Sequence, residues 1–359
     1  MAKHAAHSPL RALVVDDSAY LRRLLSDILN SIPGVKVAGT AFNGKEAITQ
    51  ALQINPDLIT LDLEMPEMDG FTFLRWLMQE HPTPTIIISS EGTEENVLKA
   101  LDLGAVDFIV KPTHHISTEL EQIEGPLVEK VEGLKNLRIE KVKKQIETLR
   151  RRSPRIPVCE TRPVDAPFDL VAIGASTGGP PALQSILSHL PGNFPVPIVV
   201  VQHMPASFTG LFAERLNAFC ALEIKEAANG DRVRPGRALI APGGRNMRFV
   251  KGKKGVRVQI DTPSPLDKYI PSVDVLMQSS AELFHKKTLG ILLTGMGDDG
   301  KIGMRAIKEQ KGRTIAESEE TAVIFGMPAE AIREGVVDSV VALNQISESI
   351  LSLCMESSL

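Results

Sequence analysis

The sequence is poor in the residues that mark several common classes of protein. Its three cysteines, Cys159, Cys220 and Cys354, stand singly without a CxxC pair, which argues against a disulfide framework and a structural zinc site. One Trp and two Tyr offer little for base stacking, and a net charge of −4 gives no basic surface. We therefore expect no nucleic-acid partner.

Long apolar runs are lacking as well. No stretch of about 18 uninterrupted apolar residues occurs, so we expect no insertion into a membrane. Residues 1–9 contain no apolar core of a signal peptide, which makes the cytoplasm the expected location. The 359 residues are too many for one ordinary core and predict two domains. Nothing in the sequence requires more than a monomer.

Both halves of the chain alternate short apolar runs with segments of helical periodicity. Strands buried on both faces that alternate with helices predict a parallel, doubly wound α/β sheet in each half. The predicted strands are 10–15, 35–40, 58–63, 85–89, 108–110, 170–173, 198–202 and 289–294. The predicted helices are 19–30, 44–54, 70–79, 94–103, 180–189 and 208–219.

The two patterns are separated by a segment of different texture. Apolar residues recur at helical spacing among many charged residues from 125 to 149, and Arg residues follow at 150–152. We interpret this as a helix with a solvated face rather than a nucleic-acid site. Four prolines between 154 and 167 then predict a linker. The expected organisation is a domain at 9–127, a helical and proline-rich linker at 128–167, and a domain at 168–355.

Acidic residues and a lysine follow the strands of the first half. Asp16 and Asp17 directly follow the first strand, Asp62 lies near the end of the third, and Ser89 and Lys111 end the fourth and the fifth. Carboxylates gathered at one sheet edge form an oxygen-rich site for Mg²⁺. We expect Asp16 and Asp17 to hold the metal with Asp62, which attacks a phosphoryl group. Lys111 and the Ser89 hydroxyl are expected to bind phosphoryl oxygens.

These motifs give residues 10–125 a resemblance to bacterial response-regulator receiver domains. The segments that carry it are LVVDDS (13–18), LITLDLEMPEMDG (58–70), IIISS (86–90) and DFIVKP (107–112). The resemblance implies a flavodoxin-like fold and phosphorylation of Asp62 by a histidine kinase. It also implies that the Glu64 carbonyl is a metal ligand and that Phe108 is the aromatic switch residue. Because no helix-turn-helix is visible after this domain, a transcription factor is disfavoured.

A serine occupies a glycine-rich turn at the start of the second half. Residues 168–181 read as a strand, a turn and a helix, and the turn contains G-x-S-x-G at 174–178. That pattern is typical of an exposed nucleophilic serine, here Ser176. Glycines between a strand and a helix also cradle phosphates, so a nucleotide-dependent enzyme remains an alternative. The pattern is not GxGxxG, however, and no P-loop lysine follows.

A base and an acid stand at the ends of two further predicted strands. His203 directly follows the strand at 198–202, and Asp298 and Asp299 lie in the loop after the strand at 289–294. A serine nucleophile needs a base, and the base needs an acid that orients it. The sequence order Ser, His, Asp differs from that of α/β-hydrolases, which indicates a separate arrangement of the same three groups.

Residues 168–355 resemble the catalytic domain of chemotaxis protein-glutamate methylesterases. The segments are AIGASTGGP (172–180), QHMP (202–205), SFTGLFAERL (207–216), APGG (241–244), PSVDVL (271–276), LLTGMGDDG (292–300) and IFGMP (324–328). The resemblance implies a Rossmann-like serine hydrolase. It makes Ser176 the nucleophile, His203 the base and Asp299 the acid, with the backbone N–H groups of Thr177 and Met296 at the oxyanion.

The same resemblance implies the reaction and the partners. The expected reaction is hydrolysis of glutamate methyl esters on chemoreceptors, together with deamidation of receptor glutamines, under control of phosphorylation by a chemotaxis histidine kinase. Mg²⁺ is expected for the receiver, and no cofactor for the esterase. Asn246 stands where the family usually has histidine, which bears on fine substrate or interdomain contacts. The alternative is a non-enzymatic adaptor with a degenerate hydrolase domain.

Overall fold

The computed structural model describes residues 9–90, 92–111, 116–135, 167–253 and 255–355. The chain divides into two compact units, residues 1–146 and 147–359. Of the predicted linker at 128–167, the described residues are 128–135 and 167. The remainder, with three of the four prolines and the basic end, lies outside the described residues. The domain boundaries given above therefore stay predictions.

The first unit contains one parallel sheet and five described helices. The sheet order is β2-β1-β3-β4-β5, and every pairing is parallel, so the flavodoxin-like prediction is confirmed. The strands are β1 (Leu10–Val15), β2 (Val35–Ala41), β3 (Leu58–Leu61), β4 (Thr85–Ser90) and β5 (Asp107–Lys111). The helices are α1 (Ala19–Ser31), α2 (Gly44–Ile54), α3 (Gly70–Glu80), α4 (Glu94–Leu103) and α5 (Ile116–Leu134).

Side-chain caps set where three of these helices begin. Ser18, Asn43 and Asp69 each precede a helix and accept a hydrogen bond from a backbone N–H of its first turn. Such caps satisfy donors that have no partner inside the helix. All four residues of β3 are buried, which fixes the strand in the core. Asp62 consequently emerges at its carboxyl end, at the edge where the β1 loop also lies.

The second unit contains a larger parallel sheet and a separate hairpin. The strands are β6 (Leu170–Ala175), β7 (Ile198–Gln202), β8 (Glu223–Glu226), β9 (Arg237–Ile240), β10 (Asn246–Gly252), β11 (Gly255–Asp261), β12 (Thr288–Leu292), β13 (Arg313–Glu317) and β14 (Ser339–Val341). The helices are α6 (Gly179–Leu187), α7 (Ala206–Phe219), α8 (Val273–Phe284), α9 (Lys301–Glu309), α10 (Met327–Arg333) and α11 (Leu343–Met355). A short 3₁₀-helix at His285–Lys287 leads into β12.

The sheet of the second unit has the order β14-β13-β12-β6-β7-β9-β8. All its pairings are parallel, and only the β10–β11 hairpin pairs antiparallel among the described strands. The doubly wound prediction is thus confirmed, and the hairpin is an addition to it. The strand order reverses at β6, and ligands of such sheets bind at the carboxyl ends of the strands at that point.

The two described cysteines are partly or fully shielded from solvent. Cys220 is half-buried and Cys354 is buried, and both are free thiols. Burial raises the pKa of each to about 12, which leaves little thiolate near neutral pH. Among the described helices, none has the length and apolar character that crossing a membrane requires.

Candidate active site and phosphorylation site

The turn that carries Ser176 is held by close packing. Ser176 directly follows β6, and its backbone N–H donates to the Thr294 carbonyl (3.0 Å). Gly178 adopts φ 77°, which favours glycine, and an added Cβ would lie 2.8 Å from the side chain of Val323. The glycine therefore serves a sharp turn packed on its neighbours, as expected of a nucleophile turn, rather than an open cradle for phosphate.

His203 lies at the end of the adjacent strand. β6 pairs with β7 in parallel, and the His203 N–H continues the ladder by donating to the Ala175 carbonyl (3.0 Å). The residues after both strands therefore lie side by side at the carboxyl edge of the sheet. Within the described residues, no hydrogen bond joins the Ser176 hydroxyl to His203. Such bonds often form only when substrate is bound.

Asp299 is joined to His203 and to the start of α8. The imidazole Nε2 lies 2.8 Å from Asp299 Oδ2, and only 2% of Asp299 is exposed. Burial raises the pKa of Asp299, but the hydrogen bonds from His203 and from the backbone N–H groups lower it by more. The pKa of Asp299 therefore lies below its ordinary value. The other donors are the Ser272 hydroxyl (3.0 Å) and the N–H groups of Val273 (2.7 Å), Asp274 (2.9 Å) and Gly300 (3.1 Å).

This network determines which nitrogen of His203 is left unprotonated. An ionised carboxylate only accepts hydrogen bonds, so Nε2 carries the proton that is shared with Asp299. In the neutral ring Nδ1 is then the unprotonated nitrogen, and it is the one available as a base. The N-terminal N–H groups of α8 stabilise the negative charge of Asp299.

Asp298 has a different environment from its neighbour. Its side chain is 44% exposed and accepts hydrogen bonds from Lys268 Nζ (2.9 Å) and Tyr269 Oη (3.1 Å). Of the two acids in this loop, the structure therefore brings Asp299 to the histidine. The two backbone groups predicted for the oxyanion lie at the same sheet edge: Thr177 follows Ser176, and Met296 lies in the loop after β12.

Tyr269 is part of the site and was not found in the sequence analysis. Its ring stacks on the imidazole of His203, with centroids 5.2 Å apart and planes inclined by 2°. The Tyr269 hydroxyl is tied to Asp298 (3.1 Å). Aromatic stacking of this kind restricts rotation of the imidazole. Its position in the loop before α8 gave no local signal, because the stack depends on the tertiary fold.

Asn246 also reaches the site, through Ser272. The Asn246 side chain is buried; its Oδ1 accepts from the Ser272 N–H (3.0 Å), and its Nδ2 donates to Asp267 (2.8 Å). Ser272 in turn caps α8 and donates to Asp299. The residue that departs from the family pattern therefore supports the residue that holds the acid.

The first unit gathers the predicted acidic residues at one edge. Carboxylate oxygens of Asp16, Asp17 and Asp62 lie within 4.8 Å of one another. Lys111 Nζ lies 2.6 Å from Asp62 Oδ2 and 3.0 Å from Asp16 Oδ2. Burial and the charge of Asp62 raise the pKa of Asp16 more than Lys111 lowers it. Burial lowers the pKa of Lys111, but the carboxylates of Asp16 and Asp62 raise it by more, so this pKa lies above its ordinary value.

This donor set fits a hard divalent cation. Three carboxylates with oxygen atoms within 4.8 Å of one another supply the oxygen ligands that Mg²⁺ prefers, and one lysine does not balance their charge. Glu64, the fourth predicted ligand through its carbonyl, follows Asp62 by two residues, and its N–H donates to Asp62 Oδ1 (3.2 Å). The Glu64 side chain is exposed, which is compatible with a role for the backbone alone.

The two predicted switch residues lie on β4 and β5. Phe108 is buried on β5. Ser89 is buried on β4, and its hydroxyl is hydrogen-bonded to the hydroxyl of Thr93. Thr93 also donates to the Ser90 carbonyl (2.6 Å), and it precedes α4 without capping the helix through its side chain. The Ser89 hydroxyl is thus engaged away from Asp62 in this state.

Fold and geometry together define a two-part protein: a phosphoacceptor receiver followed by an α/β unit with a Ser-His-Asp group. The family model described as CheB methylesterase matches residues 171–350, and that described as response regulator receiver domain matches residues 12–121. The chain belongs to the CheB methylesterase family, in the form that carries an N-terminal receiver domain.

Full-length relatives agree with this assignment. A protein-glutamate methylesterase/protein-glutamine glutaminase of Geobacter sulfurreducens is 50% identical, covering 96% of this chain and 97% of the relative. One from Halalkalibacterium halodurans is 42% identical over 97% of this chain and 99% of its own length. The crystal structure of the Thermotoga maritima CheB methylesterase catalytic domain matches with a TM-score of 0.51 at 42% identity, covering 52% of this chain and 98% of that domain.

Proposed function

We propose that this chain is a phosphorylation-regulated serine hydrolase that removes methyl esters from glutamate side chains of chemoreceptors and deamidates receptor glutamines. The observation that carries the chemistry is the 2.8 Å hydrogen bond between His203 and Asp299, beside the strand end that bears Ser176. The names of the relatives that match over the full chain support the substrate and both activities. The cytoplasm as its location and a monomeric state stay predictions from the sequence.

Acylation begins with transfer of the Ser176 proton to His203 Nδ1. The serine oxygen then attacks the carbonyl carbon of the ester. The π electrons of the C=O bond move to the carbonyl oxygen, which becomes an oxyanion. The N–H groups of Thr177 and Met296 are the proposed donors to that oxyanion. Asp299 stabilises the imidazolium through Nε2. Collapse of the intermediate expels the methoxy group, which takes the proton from His203 and leaves as methanol.

Deacylation repeats the steps with water. His203 removes a proton from the water, whose oxygen attacks the acyl-enzyme, and the Ser176 oxygen then leaves with that proton. The products are a glutamate side chain and free enzyme. The same route releases ammonia in place of methanol from a glutamine, so one site serves both reactions.

Control by phosphorylation is assigned to Asp62. Its carboxylate is the proposed acceptor of a phosphoryl group from a chemotaxis histidine kinase, with Lys111 (2.6 Å) placed to bind a phosphoryl oxygen. Asp16, Asp17, Asp62 and the Glu64 carbonyl would hold Mg²⁺, which neutralises charge on the phosphoryl group when bound. The Ser89 hydroxyl would leave Thr93 and turn to another phosphoryl oxygen.

The hydrolase function is tested by identifying the product on the receptor. Purified protein is incubated with methylated chemoreceptor membranes, and receptor peptides are analysed by mass spectrometry. Two conversions are measured: glutamate methyl ester to glutamate, and glutamine to glutamate. Wild type and the control Ser188→Ala should convert both sites, whereas Ser176→Ala should convert neither. Unconverted peptides with wild-type protein would favour the adaptor alternative.

Phosphorylation control has its own test. The esterase rate on the same membranes is compared with and without a small phosphodonor and Mg²⁺. The phosphodonor should raise the rate of wild type and of Asp27→Asn, whose side chain is exposed on α1, but not of Asp62→Asn. An unchanged wild-type rate, or a normal response of Asp62→Asn, would contradict the assignment of Asp62.

A further inference from the structure

Gln202 occupies a buried position between the residues that carry the nucleophile and the base. It is the last residue of β7 and pairs with Ala175, the last residue of β6. Only 2% of Gln202 is exposed. Its side chain therefore lies inside the carboxyl edge of the sheet, where Ser176 and His203 leave their strands.

Both amide hydrogens of this glutamine are used on the backbone of the site. Nε2 donates to the Ser176 carbonyl (2.9 Å) and to the His203 carbonyl (3.0 Å). The Ser176 carbonyl also accepts the Gly179 N–H (2.8 Å), so its two lone pairs are both engaged. One side-chain nitrogen thus bridges the two residues whose side chains must meet during acylation.

The side-chain oxygen of Gln202 indicates that this residue does more than fill space in the core. Gln202 Oε1 is buried, and no described residue donates a hydrogen bond to it. It lies against Gly179, where an added Cβ would come within 2.0 Å of Oε1. A buried acceptor without a donor is unfavourable, and an apolar side chain of similar length would avoid it. The position nevertheless holds a glutamine, whose amide can donate hydrogen bonds, and the glycine at 179 leaves room for it.

We propose that Gln202 is a positioning residue that fixes the Ser176 turn and the His203 backbone relative to each other. The inference rests on the proposed hydrolase function. Gln202 acts through the two carbonyls and not on the substrate, so its loss separates the hydroxyl from the imidazole without removing either group. Misplacement of reacting groups by about 1 Å costs on the order of 100-fold in rate.

Two substitutions remove the bridge in different ways. Gln202→Met keeps the length and the apolar stem but has no donors. Gln202→Glu keeps the shape, but its carboxyl group, buried against two carbonyl oxygens, is protonated and can donate only one of the two hydrogen bonds. Gln345→Met and Gln345→Glu are the matched controls, since Gln345 is exposed on α11.

The readouts are the second-order rate at which a fluorophosphonate labels Ser176, kcat and KM on methylated receptor membranes, and the thermal unfolding midpoint, all with the full chain. In the two Gln202 variants, labelling and kcat should fall by roughly 100-fold, with KM within about threefold of wild type. The Gln345 variants should label at the wild-type rate.

Three outcomes would overturn the proposal. The first is labelling of a folded Gln202→Met variant at the wild-type rate. The second is a rise in KM with kcat unchanged, which would place Gln202 in substrate binding. The third is loss of the fold in both variants, which would make the bridge a requirement of the sheet itself. Failure of wild type to label at all would instead contradict the hydrolase function, so the two failures are distinguishable.

Discussion

The imidazole of His203 contacts Asp299 through Nε2, at 2.8 Å from Oδ2. Asp299 in turn accepts hydrogen bonds from the N-terminal turn of α8. The acid is thereby held ionised by a helix N-terminus, and the histidine is left with Nδ1 as its basic nitrogen. The contribution of Asp299 to the site is therefore its negative charge as well as its hydrogen bond to His203.

Asp299→Asn should lower kcat by roughly 10³- to 10⁴-fold. The amide lacks the negative charge that stabilises the imidazolium, and its NH₂ group would face N–H donors. Asp298→Asn, one position earlier, should lower kcat by less than about tenfold, since it removes a half-exposed ion-pair partner. Methanol release under saturating substrate measures both. Equal effects of the two changes would contradict the assignment of Asp299.

Tyr269 should contribute through its ring more than through its hydroxyl. Tyr269→Phe keeps the stack on His203 and is expected to retain kcat within about threefold, whereas Tyr269→Ala should lower kcat by roughly tenfold, the size of one aromatic contact. Steady-state kinetics of the two variants checks this. If the Phe variant is as impaired as the Ala variant, the bond from the hydroxyl to Asp298 is the part that matters.

Asp274 should give the catalytic unit a pH-dependent stability. Burial raises its pKa from 3.8 to about 6. The negative charge of Asp299 also raises this pKa, whereas the hydrogen bond from the Gly303 N–H (2.7 Å) lowers it. Because the folded state favours the protonated form, the contribution to stability is present below pH 3.8 and lost as the pH rises through about 6. Asp274→Asn removes this titration.

Relative to wild type, the free energy of unfolding of Asp274→Asn should rise by ~2–3 kcal/mol between pH 4 and pH 7. Urea unfolding of the full chain measures it, with hydrogen exchange of the β6 and β7 peptides as the report on the catalytic unit. Parallel pH curves for the two proteins would show that Asp274 does not titrate in this range.

Thr93 should oppose activation of the receiver. It holds the hydroxyl of Ser89, which is proposed to turn to the phosphoryl group. Thr93→Val removes one competing hydrogen bond of ~1 kcal/mol and should lower the phosphodonor concentration at half-maximal esterase rate by roughly fivefold. Thr49→Val, on the exposed face of α2, is the control. A midpoint that is unchanged or higher would contradict this role of Thr93.

The sequence predicts the elements of this fold where burial is complete and fails where it is not. β7 and α4 occupy the predicted residues; in β7, residues 198–201 are apolar and the whole strand is buried. β10 and β11 were not predicted: they form a two-stranded hairpin with few buried residues, in which apolar and polar residues alternate only in part and glycines stand where the two strands meet. β8, with the sequence EIKE, has almost no apolar signal.

The candidate site divides in the same way. Ser176, His203 and Asp299 follow buried strands and bear recognisable chemistry, so they were found in the sequence. Tyr269, Gln202 and Asn246 act through contacts that only the tertiary fold creates. The serine of PSVDVL, three residues before the N–H it caps (3.3 Å), was a local helix-start signal that could have directed attention to α8. That it also holds Asp299 could not have been read locally.

The central claim is that Ser176 hydrolyses receptor methyl esters when Asp62 is phosphorylated. The most direct measurement is release of labelled methanol from chemoreceptor membranes with labelled methyl esters, in the presence of Mg²⁺ and with or without a small phosphodonor. Wild type should release methanol and do so faster with the phosphodonor, whereas Ser176→Ala should release none under either condition. Methanol release by Ser176→Ala at the wild-type rate would contradict the account.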